Sequence, residues 1–305
     1  MITRKTVLVL GAGASIPFGF PSGRTLRDDI IKKLRTPVDQ SFQRLVAAGF
    51  DAAQIERFRD QLRQSGQPSV DAFLEHRAEF VGVGKTAIAL ELIPYEKDDA
   101  LWGGEDNWYE YLLQRLGPTL DDIKRSQLTI ITFNYDRSLD HVLFWALRNS
   151  YNIGTEDAAA ILRDVLRIVH VHGMLCVLPH EDRGRGISRS YQPGDPASIT
   201  ELAMAAANAL KIMPESKTTD ATFVAARELL ANAEMAIFLG FGYLPKNVDR
   251  LGIKELDAKI GLTGTAFDLR EGDRTDALMT VSERLSLGNP KHGVLEFLRT
   301  HRLLV

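Results

Sequence analysis

Short, unbroken apolar runs recur along the 305-residue chain, and stretches with helical spacing lie between them. Val7-Leu8-Val9-Leu10 stops at Gly11, as a strand buried on both faces would. Leu128 to Phe133, Ile168 to Val171 and Met235 to Leu239 read the same way, and Thr265 to Leu269 more weakly. Between them, Asp136 to Leu147 places Leu139, Val142, Leu143 and Ala146 on one helical stripe. Thr222 to Ala233 and His292 to Leu303 follow the same period. Strands alternating with helices predict an α/β fold with a parallel sheet flanked by helices.

The stretch from 36 to 124 breaks this alternation. Phe42 to Ala48, Ala52 to Leu62, Val70 to Phe80, Thr86 to Tyr95 and Trp108 to Leu116 all suit helices, and no strand interrupts them. Ser69 stands where an N-cap would precede Val70, with Asp71 in the first turn. The expected organisation is one nucleotide-binding domain from 1–35 and 125–305, with 36–124 an all-helical insertion acting as a lid or an assembly surface. Pro179 to Ser198, rich in Arg, Gly, Ser and Pro, reads as a mobile loop.

Composition narrows the function classes. The formal net charge of −3 gives no overall electrostatic case for nucleic acid or a membrane surface. Cys176 is the single cysteine, so neither an intrachain disulfide nor a cysteine-based zinc site can form, and no metal is expected. Residues 1–6 lack the long apolar stretch of a signal peptide, and no apolar run approaches the ~20 residues of a membrane span. The expectation is a cytoplasmic protein.

Gly11-Ala12-Gly13-Ala14-Ser15 directly after a strand is the context of a phosphate-binding turn, where small residues admit a pyrophosphate and helix-terminal amides meet it. Taken alone, the turn fits nucleotide binding and an ordinary tight turn equally well. The dehydrogenase fingerprint is incomplete: Ile16 replaces its third glycine, and Asp28 and Asp29 fall in a helical pattern, not at the end of a second strand. Gly82-Val83-Gly84-Lys85-Thr86 resembles the end of a P-loop, but Glu79 stands where the first glycine belongs and a helical pattern precedes it. A glycine break between two helices accounts for it.

Three later segments end strands with polar groups: Thr132-Phe133-Asn134-Tyr135-Asp136, His170-Val171-His172-Gly173 and Gly240-Phe241-Gly242. Ligands of open α/β sheets sit beyond the carboxyl ends of strands. In this order the motifs resemble the sirtuin-like superfamily, with its Rossmann-like fold. Gly-Ala-Gly-Ala-Ser matches its first glycine motif, Asn134 to Asp136 its Asn/Asp motif, and His172-Gly173 its histidine motif. The protein-deacylating members differ, carrying Gly-Ile-Pro-Asp-Phe-Arg and a four-cysteine zinc module; this chain has Gly19-Phe20-Pro21-Ser22-Gly23 and one cysteine. The Pro-Ser-Gly version, with Ser69-Val70-Asp71-Ala72-Phe73-Leu74, resembles the bacterial sirtuin-like NAD hydrolases of anti-phage defence.

That resemblance implies cleavage of NAD to nicotinamide and ADP-ribose, as a regulated effector that depletes the cofactor. Asn134 would hold ribose and water, and His172 would act as the base, with Asp136 shaping the site. Gly11, Ala12, Gly13, Ser15 and Pro21 would line the pyrophosphate and nicotinamide-ribose side; Gly240, Gly242, Asp249 and Asp268 would lie toward the adenosine. Competing readings remain beside each: His170, two positions earlier on the same strand face, shows that a strand histidine can be structural, and Asn134 or Asp136 can cap the following helix. A non-catalytic subunit that binds NAD or ADP-ribose for a larger defence assembly, an ADP-ribosyltransferase and a protein deacylase are the alternative functions. Restraint of such an enzyme implies a homo-oligomer or a separately encoded partner, such as an ATPase or a sensor.

Overall fold

In a computed structural model of the chain, residues 1–182, 184, 187–212 and 220–305 are described. Six parallel strands form one sheet in the order β3-β2-β1-β4-β5-β6. They are β1 (Thr6–Leu10), β2 (Leu128–Thr132), β3 (Ile168–His170), β4 (Met235–Leu239), β5 (Gly261–Gly264) and β6 (Ser286–Leu287). This is the doubly wound, Rossmann-like order, which reverses direction between β1 and β4. β1 is central and buried at all five positions, with Leu10 in register with Thr132 on one side and Leu239 on the other.

The four strongest apolar runs became β1 to β4. The weak fifth run did not: β5 lies at Gly261–Gly264, and 265–269 is the loop beyond it. β5 carries Leu262 as its only large apolar residue, so its sequence has no strand signal, while Phe267 and Leu269 of the following loop line the cleft described below.

Helix α1 (Gly23–Lys33) follows β1 through two short 3-10 turns at Ala12–Ala14 and Ile16–Phe18. Between α1 and β2 lie only helical elements among the described residues: α2 (Gln40–Ala47), α3 (Ala52–Gln64), α4 (Val70–Leu74), α5 (Val81–Leu92), α6 (Trp108–Leu116), α7 (Leu120–Lys124) and intervening 3-10 turns. The P-loop-like glycines fall within α5, so they interrupt nothing, and the Thr86 hydroxyl donates to the Gly82 carbonyl at 3.0 Å inside the helix. The remaining helices are α8 (Ser138–Tyr151), α9 (Thr155–Asp164), α10 (Ile199–Ala209), α11 (Ala221–Ala231), α12 (Pro245–Leu251), α13 (Glu271–Val281) and α14 (Val294–His301).

Alternation along the strands divides the core in two. Leu8, Leu10, Leu128 and Ile130 pack with α1 to α6, α8 and α14, whereas Val7, Val9, Ile131 and Phe238 pack with α11 to α13. The helical segment 36–124 therefore shares one continuous core with a sheet face. α5 explains why: its residues are buried nearly all round, as a helix sandwiched between others must be.

The Pro179–Ser198 segment is tied down where it is described, with residues 183, 185 and 186 lying outside the described residues. Arg137, fully buried, meets Glu96 at 2.6 Å and donates to the Arg189 carbonyl at 2.7 Å, and Arg189 also pairs with Glu96. One carboxylate from the helical segment thus pins two guanidiniums and the loop between them. Composition alone had suggested a mobile loop, because a buried ion cluster cannot be read from it.

Candidate active site

A cleft of about 980 Å³ opens at the carboxyl ends of β1 and β4, where the strand order reverses. Its size lies at the upper end of the range of ligand pockets. Gly11, Ala12, Gly13, Ser15, Pro21, Asn134, Asp136, His172, Gly240 and Gly242 all line it. Asp249 and Asp268 do not: Asp249 is exposed on α12 and pairs with Lys254 at 3.2 Å, and Asp268 is exposed in the loop after β5. Both had been placed by counting from a strand end. For Asp268 the counted strand was the wrong one, and its neighbours Phe267 and Leu269 reach the cleft instead.

The two glycine turns pack main chain against main chain. The amide of Gly13 donates to the Gly240 carbonyl at 3.0 Å, and that of Gly11 to the Leu239 carbonyl at 3.0 Å. A Cβ on Gly13 would lie 2.7 Å from the Gly240 Cα, and Gly240 itself has a φ of 57°. Close approach of the turns to each other is thus what demands glycine here. The amides of Ala14 and Ser15 are also taken, by the carbonyls of Gly11 and Ala12, because the chain forms a 3-10 turn and not an α-helix start. The helix terminus that does face the cleft is that of α1, through Ser22, Gly23 and Arg24.

Asn134 is held by every polar group but one. Its amide donates to Thr132 Oγ1 at 3.0 Å, and its carbonyl faces His170 Nδ1 at 3.2 Å. Nδ2 donates to the Gly11 carbonyl and to Ser15 Oγ, each at 3.0 Å. A carbonyl only accepts, so Gly11 fixes which end of the carboxamide is nitrogen. Oδ1 is left as the acceptor for a ligand or water. Asp136, behind this group, receives the Ser15 hydroxyl at 2.8 Å and the Ser138 amide at 3.2 Å, with the Ser138 hydroxyl closing the set. It orients Ser15 and ties the Ser138 amide at the start of α8, whose N-cap is Arg137 with no side-chain cap, while Asn134 faces the cleft.

The two histidines part company. β3 ends at His170, so alternation no longer governs His172, and the expectation of a shared face is overturned. His170 turns toward α8 and meets Asp140 at 3.1 Å. His172 stands edge-on to Phe133 and Phe223 on the cleft wall. Burial, with the Arg250 charge adding to it, lowers His172 to about 4, leaving it neutral at neutral pH. For His170 burial works in the same direction, but the charge and hydrogen bond of Asp140 outweigh it and raise the group to about 9. Gly173 follows with a φ of 73°, and a side chain there would run into the Ala209 carbonyl.

The helical segment also reaches the cleft, through Pro68, Ser69, Asp71, Leu92 and Asp106. Asp71 accepts a hydrogen bond from the Tyr135 hydroxyl, between Asn134 and Asp136 in sequence, and burial raises its carboxyl. Thr265 supports the second glycine turn by accepting from the Gly240 amide at 2.8 Å. In the sequence Asp71 stands out as a helix-start acid and as part of the Ser69–Leu74 segment, but nothing in spacing joins it to Tyr135. Among the described residues no group of three His, Cys, Asp or Glu is placed to hold a metal ion, and no helix is long and apolar enough to cross a membrane. No family model matches the chain, and no curated protein matches it in sequence.

Proposed function

We propose that the cleft binds NAD across the β1–β4 junction and that the chain hydrolyses the nicotinamide–ribose bond, releasing nicotinamide and ADP-ribose. The observation that carries this reading is an oriented carboxamide, Asn134, and a neutral imidazole, His172, on the wall of one cleft at the reversal of the sheet. The sequence resemblance set out above supports the choice of reaction.

The C1′–N bond breaks with its electron pair going to the pyridinium nitrogen, so nicotinamide departs neutral and needs no general acid. The carboxamide oxygen of Asn134 holds a ribose hydroxyl or the incoming water, an orientation fixed before binding by Gly11 and Ser15. Water adds to C1′ and its proton passes to His172. Bound pyrophosphate, carrying negative charge, opposes the Arg250 charge that helps hold His172 low. Among the described residues, Arg24 and Lys291 are the cations on the cleft lining.

Nicotinamide and ADP-ribose are followed by chromatography after adding NAD to purified protein. Release by the wild type, abolished in Asn134→Ala and His172→Ala, is the expected result. Undiminished release by both variants would remove the assigned roles. The low pKa of His172 favours one second reading, a subunit that binds NAD or ADP-ribose without turnover. Tight calorimetric binding with no nicotinamide release would establish that one. A hydrolase of this kind would deplete its own cell unless restrained, as an effector of phage defence is. The proposal therefore includes self-association or a separate protein partner.

A further inference from the structure

His170 and Asp140 lie outside the cleft, and the proposed reaction asks nothing of them directly. His170 is 8% exposed and Asp140 is 4% exposed. Removing two such groups from water is costly, and a hydrophobic pair of similar volume in their place is often neutral or stabilising. Stability is a poor reason for this pair, and its geometry supplies another.

The ring of His170 has an acceptor on each nitrogen. Nε2 faces the Asp140 carboxylate at 3.1 Å and 3.2 Å, and Nδ1 faces the main-chain carbonyl of Asn134 at 3.2 Å. A neutral imidazole carries one proton and would leave one of these acceptors unmet in the core. Both are served only by the imidazolium, with Asp140 as its counter-charge. Glu181 adds a further acidic influence on the ring. Asp140 itself sits in the first turn of α8, where a negative charge is favoured.

We infer that the His170–Asp140 pair is a positioning device that clamps the main chain of Asn134 and thereby aims its carboxamide at the cleft. The carbonyl of Asn134 is held from β3 and α8, its amide from Thr132 on β2, and its side chain from the turn after β1. Each anchor comes from a different part of the fold, so the carboxamide cannot rotate toward the cleft or away without breaking one. Loosening such a clamp moves the group by a fraction of an ångström, enough to cost a large factor in a step that depends on alignment.

The inference rests on the proposed NAD cleavage for its kinetic test, but the clamp can also be read without turnover. In ¹⁵N spectra of histidine-labelled protein at pH 7.5, His170 is expected to show both ring nitrogens protonated; a single neutral tautomer would overturn the clamp, whatever the enzyme does with NAD. Two double variants separate the two bonds. Asp140→Asn with His170→Asn keeps a donor where Nδ1 stood, facing Asn134. Asp140→Asn with His170→Gln keeps one where Nε2 stood, facing residue 140. The first is expected to release nicotinamide at least tenfold faster than the second, with KM for NAD within twofold of each other and matched thermal midpoints. Equal turnover in the two, or a difference that follows their thermal midpoints, would overturn the inference.

Discussion

Asn134→Asp replaces one nitrogen by one oxygen and so tests the carboxamide's orientation with almost no change of shape. The wild-type Nδ2 gives two hydrogen bonds of 3.0 Å, to the Gly11 carbonyl and to Ser15 Oγ. A carboxylate oxygen in its place meets an acceptor at Gly11. At Ser15 it competes with Asp136, which already receives the only hydroxyl proton at 2.8 Å. Losing two bonds costs about 2 kcal/mol, and a carboxylate oxygen left unserved adds about 1–3 kcal/mol. The expected destabilisation is about 3–5 kcal/mol, and at roughly 2–3 °C per kcal/mol for a chain of this size that lowers Tm by roughly 5–15 °C.

The sign of its pH dependence follows. Asp136 and the Gly11 carbonyl raise the new carboxyl in the folded state above its unfolded value of about 3.9. Folded protein then binds more protons than unfolded, so the deficit grows as pH rises through that window and narrows in acid. Thermal melts of the variant and the wild type at pH 5 and pH 8 measure this directly. Equal midpoints at pH 8, or a larger gap at pH 5, would refute the assigned orientation and with it the availability of Oδ1.

Two further expectations concern the whole molecule. Gly240→Ala forces a side chain into the main chain of Gly13 and Ala14 at a φ of 57°, whereas Gly242→Ala has nothing within 4 Å; melts should show a loss of several degrees for the first and none beyond error for the second. Stability should peak near pH 6.5. Below it, His172 and His180, both lowered to about 4, take up protons on unfolding, partly offset by Glu181, which is raised to about 7; above it, the stabilisation from His170 is lost as pH approaches 9. Each net proton contributes a slope of at most ~1.4 kcal/mol per pH unit, and denaturant melts that stay level or gain stability from pH 7 to 9 would contradict the His170 pairing.

The sheet was legible where burial writes itself into the sequence. β1, β2, β3 and β4 are apolar runs because both faces of each are covered, and the polar residues just beyond them had to be the ones at the carboxyl edge. β5 escaped because glycines at both of its ends leave little side chain to pattern, and Gly264 is there for Tyr243 and Phe238 to pack over it. The site divides in the same way. Asn134 and His172 were accessible from strand ends, but Asp71 and Tyr135 meet across 64 positions of chain, and no local period encodes such a pair.

The contrast between His170 and His172 shows what the end of a strand does to chemistry. Within β3, His170 is committed by alternation to the side of the sheet that carries α8, where Asp140 waits. Two residues later the strand has ended, Gly173 turns the chain at a positive φ, and His172 is free to face Phe133 and the cleft. Identical side chains two positions apart therefore sit at about 9 and about 4, one a fixed cation and the other neutral. Environments that push like groups apart in this manner mark division of labour within a site. A strand one residue pair longer would have put both histidines on the α8 side and left the cleft without the imidazole proposed as its base.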